Sequence, residues 1–212
     1  MTNKPQGITM RTAVLVAIAR WAGKDDRPHL NVVAFRHDEC IACDGHRMVR
    51  FPCKTYGYTF GVHHAHLTAA AAAAQSAGGY GSHEVVLVPE ASAKPPTIAV
   101  WLDPRGSFRL TVPFRDLDEY PSQKTIDELM ATVTTQPASS FAVHVFNPSY
   151  LSQLADLHAA TIDGWEGTPE TDAKGRDYRT ALQIVAWGSD HRGAVVFKNA
   201  RGVRFLVMPV AP

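Results

Sequence analysis

Apolar residues first recur at helical spacing near the start of the chain. Val14, Ile18 and Trp21 fall on one face, which predicts a helix over 10–21. The period then shortens to two. LNVVAF (30–35), ECIAC (39–43) and HRMVRF (46–51) read as strands, with Asp44-Gly45 as the turn between the last two. A strand YTFGV (58–62) leads into HHAHLTAAAAAAQSA (63–77), whose alanines favour a helix that Gly78-Gly79 stops. Strands follow at 83–89, 97–102 and 107–114, the last two joined by a turn at Asp103-Pro104-Arg105-Gly106. Proline and serine then mark 115–140 as a connection, with a helical turn at IDELM (126–130).

The pattern then returns. FAVHVF (141–146) reads as a strand, and Asn147-Pro148 as the N-cap and first turn of a helix. That helix carries Leu151, Leu154 and Leu157 on one side. After a polar loop (163–179), strands are expected at 180–187, 193–198 and 203–210. Strand, helix and three strands thus occur at 58–114 and again at 141–210, and 8–51 is a third copy with a rudimentary leading strand. The closing hairpins share letters, DPRGSFRLTVPF against NARGVRFLVMPV. The fold class is therefore α+β, with antiparallel sheets covered by helices on one face.

Composition narrows the function. The 212 residues are 45% hydrophobic, enough for a sizeable core. The net charge of +1 supplies no global field toward nucleic acid or membrane, so any DNA contact must be local. No stretch has transmembrane length, and arginines interrupt the first apolar run before it resembles a signal peptide. Three cysteines, all between Cys40 and Cys53, make a disulfide framework improbable. A cytoplasmic location and no membrane partner are the expectation.

Four segments resemble the bacterial DNA sliding clamp, the processivity subunit of the replicative polymerase. IACDGHRMVRFP (41–52) looks like its Asp-Gly-His-Arg signature. FRDLDEYPSQKTI (114–126) is similar to the segment that ends its middle domain. FNPSYLSQLADL (146–157) resembles the start of a helix in its second motif, and FLVMPV (205–210) resembles its C-terminal ending. Residues 8–121 match the family's middle domain, and 140–212 match the second half of its last one. The resemblance implies clamp-like domains: a complete one over 1–121, a connector over 122–140 and a half domain over 141–212.

It also implies a site. In the family, partner proteins insert a short linear motif between the middle and last domains. The matching positions are Cys43, Gly45, His46, Arg47 and Met48 on one wall, Pro121, Thr125 and Ile126 on the connector, and Val207, Met208, Pro209 and Val210 on the other wall. Methionine adapts to varied apolar anchors and proline keeps a rim rigid. Arg47 and His46 are candidate donors to the peptide. The plainer reading makes Met48, Val207 and Met208 core residues. The implied partners are clamp-binding-motif peptides of polymerase, clamp loader or repair proteins, together with double-stranded DNA bound without sequence preference. A homo-oligomer is expected, since the third copy has no mate.

Other chemistry is weaker. His37, Cys40, Cys43, His46 and Cys53 invite a zinc reading, but Cys40 and Cys43 on one strand would point to opposite faces, so no metal is expected. His63, His64 and His66 at a helix start are more simply a solvated helix end. No nucleophile or phosphate-loop motif occurs, so neither an enzyme nor a cofactor is expected. For DNA, Arg11, Arg20, Lys24 and Arg27 are the candidates, with Arg20 and Lys24 sharing a helix face. Two functions of different class remain: a clamp that tethers partners on DNA, and a clamp-derived decoy or inhibitor that binds the same partners off DNA.

Overall fold

The computed structural model describes residues 7–24, 26–77, 84–90, 97–101, 109–134, 146–163, 182–187 and 194–209. The chain packs into two units, Met1–Ala42 with Pro52–Tyr120, and Cys43–Phe51 with Pro121–Pro212. The stretch Cys43–Phe51 groups with the second unit.

The first unit contains β1 (Ile8–Arg11), α1 (Thr12–Ala19), β2 (Val32–Arg36) and β3 (Glu39–Cys43). β4 (Arg47–Pro52) follows in sequence but belongs almost wholly to the second unit. The first unit resumes with β5 (Phe60–His63), α2 (His64–Ala77), β6 (Glu84–Glu90), β7 (Thr97–Trp101) and β8 (Arg109–Pro113). The helix expected over 10–21 is shorter than its apolar pattern, because Met10 and Arg11 are drawn into β1, opposite Val85 and Glu84. The two repeats exchange their leading strands. β1 pairs with β6 in the order β1-β6-β7-β8, while β5 pairs with β2 in the order β5-β2-β3.

Small residues let the two helices meet. Ala70, Ala71 and Ala74 of α2 are buried, as are Val14 and Ile18 of α1, and the helices pack on each other. Leu15, Trp21, Phe35, Phe60, Leu67 and Leu87 are fully buried in this unit, with the Phe35 and Phe60 rings stacked at 5.0 Å. The β2–β3 turn is left-handed at both His37 (φ 50°) and Asp38 (φ 56°). Aspartate tolerates that region because its short side chain bonds locally. Here its Oδ1 accepts the Thr55 N–H at 2.8 Å.

The second unit orders its strands β4-β11-β10-β9, with β9 (Leu182–Trp187), β10 (Val195–Asn199) and β11 (Arg204–Val207). Met48 lies opposite Leu206 and Val49 opposite Phe205, all four buried. The connector of 122–140 is more structured than expected. It holds α3 (Gln123–Thr134), which buries Ile126 and Met130 and packs on β9 and β10. α4 (Pro148–Ile162) starts as expected, with Asn147 Oδ1 accepting the Ser149 N–H at 3.0 Å. Its apolar face is narrower than expected. Leu154 and Leu157 are buried, but Leu151 is 40% exposed. Steps of three residues fall short of a full 3.6-residue turn, so a run of i, i+3, i+6 rotates off the packed face. At the other end of α4, buried Asn199 donates to buried Thr161 Oγ1 at 2.8 Å, and its own Oδ1 accepts the N–H groups of Arg201 and Val203. That side chain ties the β10–β11 turn to α4.

Residues 141–145 of the expected strand, the Gly78-Gly79 stop, the Asp103–Gly106 turn and most of the 163–179 loop lie outside the described residues. The contrast along α4 gives a direct test. Leu157→Ala should cost about 2–5 kcal/mol in urea unfolding, and Leu151→Ala less than about 0.5 kcal/mol. Equal losses at the two positions would contradict the packing described for α4.

Candidate peptide-binding site

The site is organised by one turn. Asp44 Oδ1 accepts the backbone N–H groups of His46 (2.9 Å) and Arg47 (3.0 Å), and its own N–H donates to the Arg47 carbonyl at 3.2 Å. Gly45 between them takes φ 89°, a value that a β-carbon would strain. The Arg47 side chain then folds back. Its Nε donates to Asp44 Oδ2 at 2.8 Å, its Nη1 to Gln153 Oε1 at 2.6 Å, and its guanidinium lies 4.6 Å from the Tyr150 ring centroid. Tyr150 and Gln153 are three apart on α4 and so share a face.

This arrangement corrects one expectation. Arg47 was read as a donor to the peptide, but it is only 6% exposed and its guanidinium is engaged by Asp44, Gln153 and Tyr150. It holds the turn on α4 instead. His46 stays exposed. The His46 carbonyl accepts the Met208 N–H at 2.8 Å, which places the turn directly beside the end of β11.

The predicted wall residues divide by burial. Cys43, Met48, Ile126 and Val207 are buried. Gly45, His46 and Thr125 are exposed, while Pro121, Met208 and Pro209 are half-buried. Val210 lies outside the described residues. Thr125 sits in the first turn of α3, where Ser122 Oγ accepts its N–H at 3.0 Å. α3 is anchored to β4 by Arg50 Nη1 on Asp127 Oδ1 at 2.9 Å. Arg50, Asp127, Tyr150 and Gln153 are positioning residues that the sequence pattern missed, and no sequence signal pointed to them.

The predicted DNA contacts are not brought together. Arg11 precedes α1 and Arg20 caps its other end, about 12 Å away for eight residues. Lys24 lies beyond the helix end, so the shared face expected for Arg20 and Lys24 does not form. Arg27 precedes a short 3₁₀ turn at Pro28–Leu30. Among the described residues no group of three or more His, Cys, Asp or Glu is arranged to hold a metal. Burial, then a hydrogen bond to the Cys53 thiol, push the Cys40 thiol well above its usual pKa, which disfavours the thiolate a metal needs.

No protein-family model matches the chain, and no curated protein matches it in sequence. Solved structures do match. The DNA polymerase sliding clamp from Pseudomonas aeruginosa, with ligand, aligns at a TM-score of 0.50 and 13% identity, covering 100% of this chain and 68% of that one. DNA polymerase III beta subunit from Thermotoga maritima aligns at a TM-score of 0.54 and 11% identity, covering 97% of this chain and 64% of that one. The fold is that of a bacterial DNA sliding clamp, and this chain spans about two thirds of those clamps' length.

The turn carries its own prediction. Asp44→Ala removes the acceptor of three N–H donors and leaves the buried Arg47 without its carboxylate. Unfolding free energy should fall by about 2–4 kcal/mol, slightly less than the roughly 3–5 kcal/mol for a fully buried pair because Asp44 keeps 15% of its side chain exposed. A loss below about 0.5 kcal/mol in chemical denaturation would show that the turn does not depend on this aspartate.

Proposed function

We propose that the protein is a non-enzymatic binding protein of the sliding-clamp type. Its second unit captures a short linear peptide of a polymerase, clamp loader or repair protein. The observation that carries this reading is the contact between the Asp44–Arg47 turn and the end of β11. It sets His46, Gly45, Met208 and Pro209, all exposed or half-buried, side by side over buried strands. A rim of adaptable methionine, rigid proline and one imidazole suits an apolar anchor flanked by backbone carbonyls. Pro121 and Thr125 extend the rim at the start of α3. In domain terms, we read 1–121 as a complete clamp-like domain, 122–140 as the connector and 141–212 as a half domain.

A fluorescent peptide carrying a clamp-binding motif should bind with a dissociation constant in roughly the micromolar range, since a few anchors must offset peptide ordering. Met208→Ala and Pro209→Ala should each weaken it about three- to tenfold in fluorescence polarisation, on the scale of one truncated contact. Unchanged affinity in both variants, or no binding at about millimolar peptide, would exclude the groove.

One observation bears on whether partners are tethered on DNA or bound off it. The exposed face of α2 carries Ala65, Thr68, Ala69, Ala72, Gln75 and Ser76, with no charge. A duplex alongside that face would gain no phosphate contacts from it, so a tether on DNA must be held by groups elsewhere on the chain, and the off-DNA decoy or inhibitor is the alternative.

Self-association belongs to the same reading. In the first unit each leading strand covers the sheet of the other repeat. In the second unit β9 ends the sheet among the described residues, and its Ile184 is 55% exposed. An open edge with an exposed apolar residue favours cover by a second copy of the chain about a two-fold axis. Sedimentation at tens of micromolar should therefore find a dimer or larger assembly, and Ile184→Lys should shift it to monomer. A wild-type monomer under those conditions would remove this part of the proposal.

A further inference from the structure

The strongest feature outside the groove is a group of basic side chains where β5 runs into α2. The His63 and His64 rings stack at 4.6 Å, and the His66 ring lies 5.7 Å from His63. His66 Nδ1 is enclosed and makes no hydrogen bond among the described residues. Arg115 is fixed beside them. Its backbone exchanges two 2.8 Å hydrogen bonds with Gly61, two residues before His63. A β-carbon at 61 would stand 2.8 Å from the end of the Leu117 side chain, which would have to shift to admit it. Lys24, after α1, completes the group.

Two of the rings have only basic groups acting on them. Burial holds His63 below the usual histidine pKa, followed by repulsion from His66 and Arg115. Burial does the same to His64, followed by His63, Lys24 and His66. The charges acting on these two rings are all basic. Arg115 also borders a cleft with Asp116, Asp118, Glu119 and His29, but those carboxylates are not among the groups acting on the rings. Such a local concentration of basic groups stands out in a chain whose net charge is only +1.

We propose that Lys24, His63, His64, His66 and Arg115 form a phosphate-binding site that takes up protons as it binds, and that its ligand is the backbone of a nucleic-acid duplex. Donors from three separate segments suit a run of phosphates better than a single ion. His63 Nδ1 accepts the Ala65 N–H at 3.2 Å, so the neutral ring already carries its hydrogen on Nε2, which can donate to phosphate, and a further proton on Nδ1 gives up the Ala65 bond. A phosphate oxygen relieves the mutual repulsion and stabilises the imidazolium forms, which raises their pKa in the complex. Binding therefore strengthens as pH falls through about 6.5. The empty site has the opposite sign. Its lowered histidines contribute stability above about 6.5 that is lost as pH falls, because the unfolded chain takes up those protons more readily. The inference deepens the DNA-tethering half of the proposed function and is independent of the peptide groove.

The test measures a fluorescent duplex of arbitrary sequence on the full chain at about pH 7.5 and about pH 5.5, at constant ionic strength. Affinity should rise about tenfold at the lower pH, with a steeper salt dependence as more phosphates are neutralised. His64→Gln with His66→Gln keeps the His63 cap and the histidines elsewhere, and should hold the rise to about twofold. An equal rise in wild type and double variant, or no rise in either, overturns the inference while leaving duplex binding itself intact. Absence of duplex binding at both pH values removes the tether as well. Inorganic phosphate alone is the second probe. If it binds in the millimolar range or tighter with the same pH dependence while duplex does not bind, the duplex assignment falls and a small-anion site remains. Should the double variant fail to fold, NMR titration of the wild-type imidazoles decides, since the His64 and His66 pKa values must rise when duplex is added.

Discussion

A strand–helix–three-strand repeat cannot satisfy its own backbone. Its leading strand does not join its own sheet, and the first strand after the helix is left with an open edge. In the first unit two repeats resolve this by exchange: β1 pairs with β6, and β5 with β2. The backbone hydrogen bonds of each repeat are thus completed only by the other, because buried N–H and C=O groups must find partners. The rest follows from that pairing. It sets α1 against α2, which calls for the small Ala70, Ala71 and Ala74 between them. It also stacks Phe35 on Phe60 across the β2–β5 ladder, where the two are opposite residues. In the third repeat β11 joins β4, the closing strand of the first copy. Among the described residues β9 ends this sheet, with Ile184 exposed.

The Asp44–Arg47 turn is ordered by a charge. Asp44 orders two backbone N–H groups and one guanidinium, and Arg47 carries that order to α4 through Gln153 and Tyr150. Ionised partners make these bonds stronger than neutral ones, and the planar guanidinium can serve three partners from one position. The consequence for binding is preorganisation. At the proposed peptide site, the exposed part of the turn, Gly45 and His46, would need little further ordering on binding. The same commitment takes Arg47 out of the set of peptide donors.

Much of this was legible in the sequence. The Asp44-Gly45 turn, the Asn147 cap and the repeat pattern each rest on local chemistry, and local chemistry is written in neighbouring residues. What was not legible depended on distant partners. Helical periodicity over 10–21 was real, yet Met10 and Arg11 became strand because β6, more than seventy residues away, offers them a ladder. Leu151 matched the apolar spacing of α4 but sits where no neighbour packs closely enough to cover it. Arg47 read as a surface donor because nothing local announces Gln153, 106 residues on. The histidines at 63–66 read as a solvated helix end because Arg115 comes beside them only through its ladder with Gly61.

The placement of charge follows from the helix pair. α2 must be narrow where it meets α1, which selects alanine, and its outer face is then filled by alanine, threonine, glutamine and serine. A polyanion near such a face feels little attraction. With a net charge of +1 the chain offers no long-range field either, and at physiological salt charges act over only about 8 Å. Any grip on phosphate must therefore come from a few groups held close together. Permanent cations held that close would repel one another at all times. Imidazoles do so only when protonated, so a cluster built mainly from histidine can stay neutral in the empty protein and become cationic when an anion arrives. That physical economy explains why Lys24 and Arg115 are accompanied by three rings rather than by three more lysines.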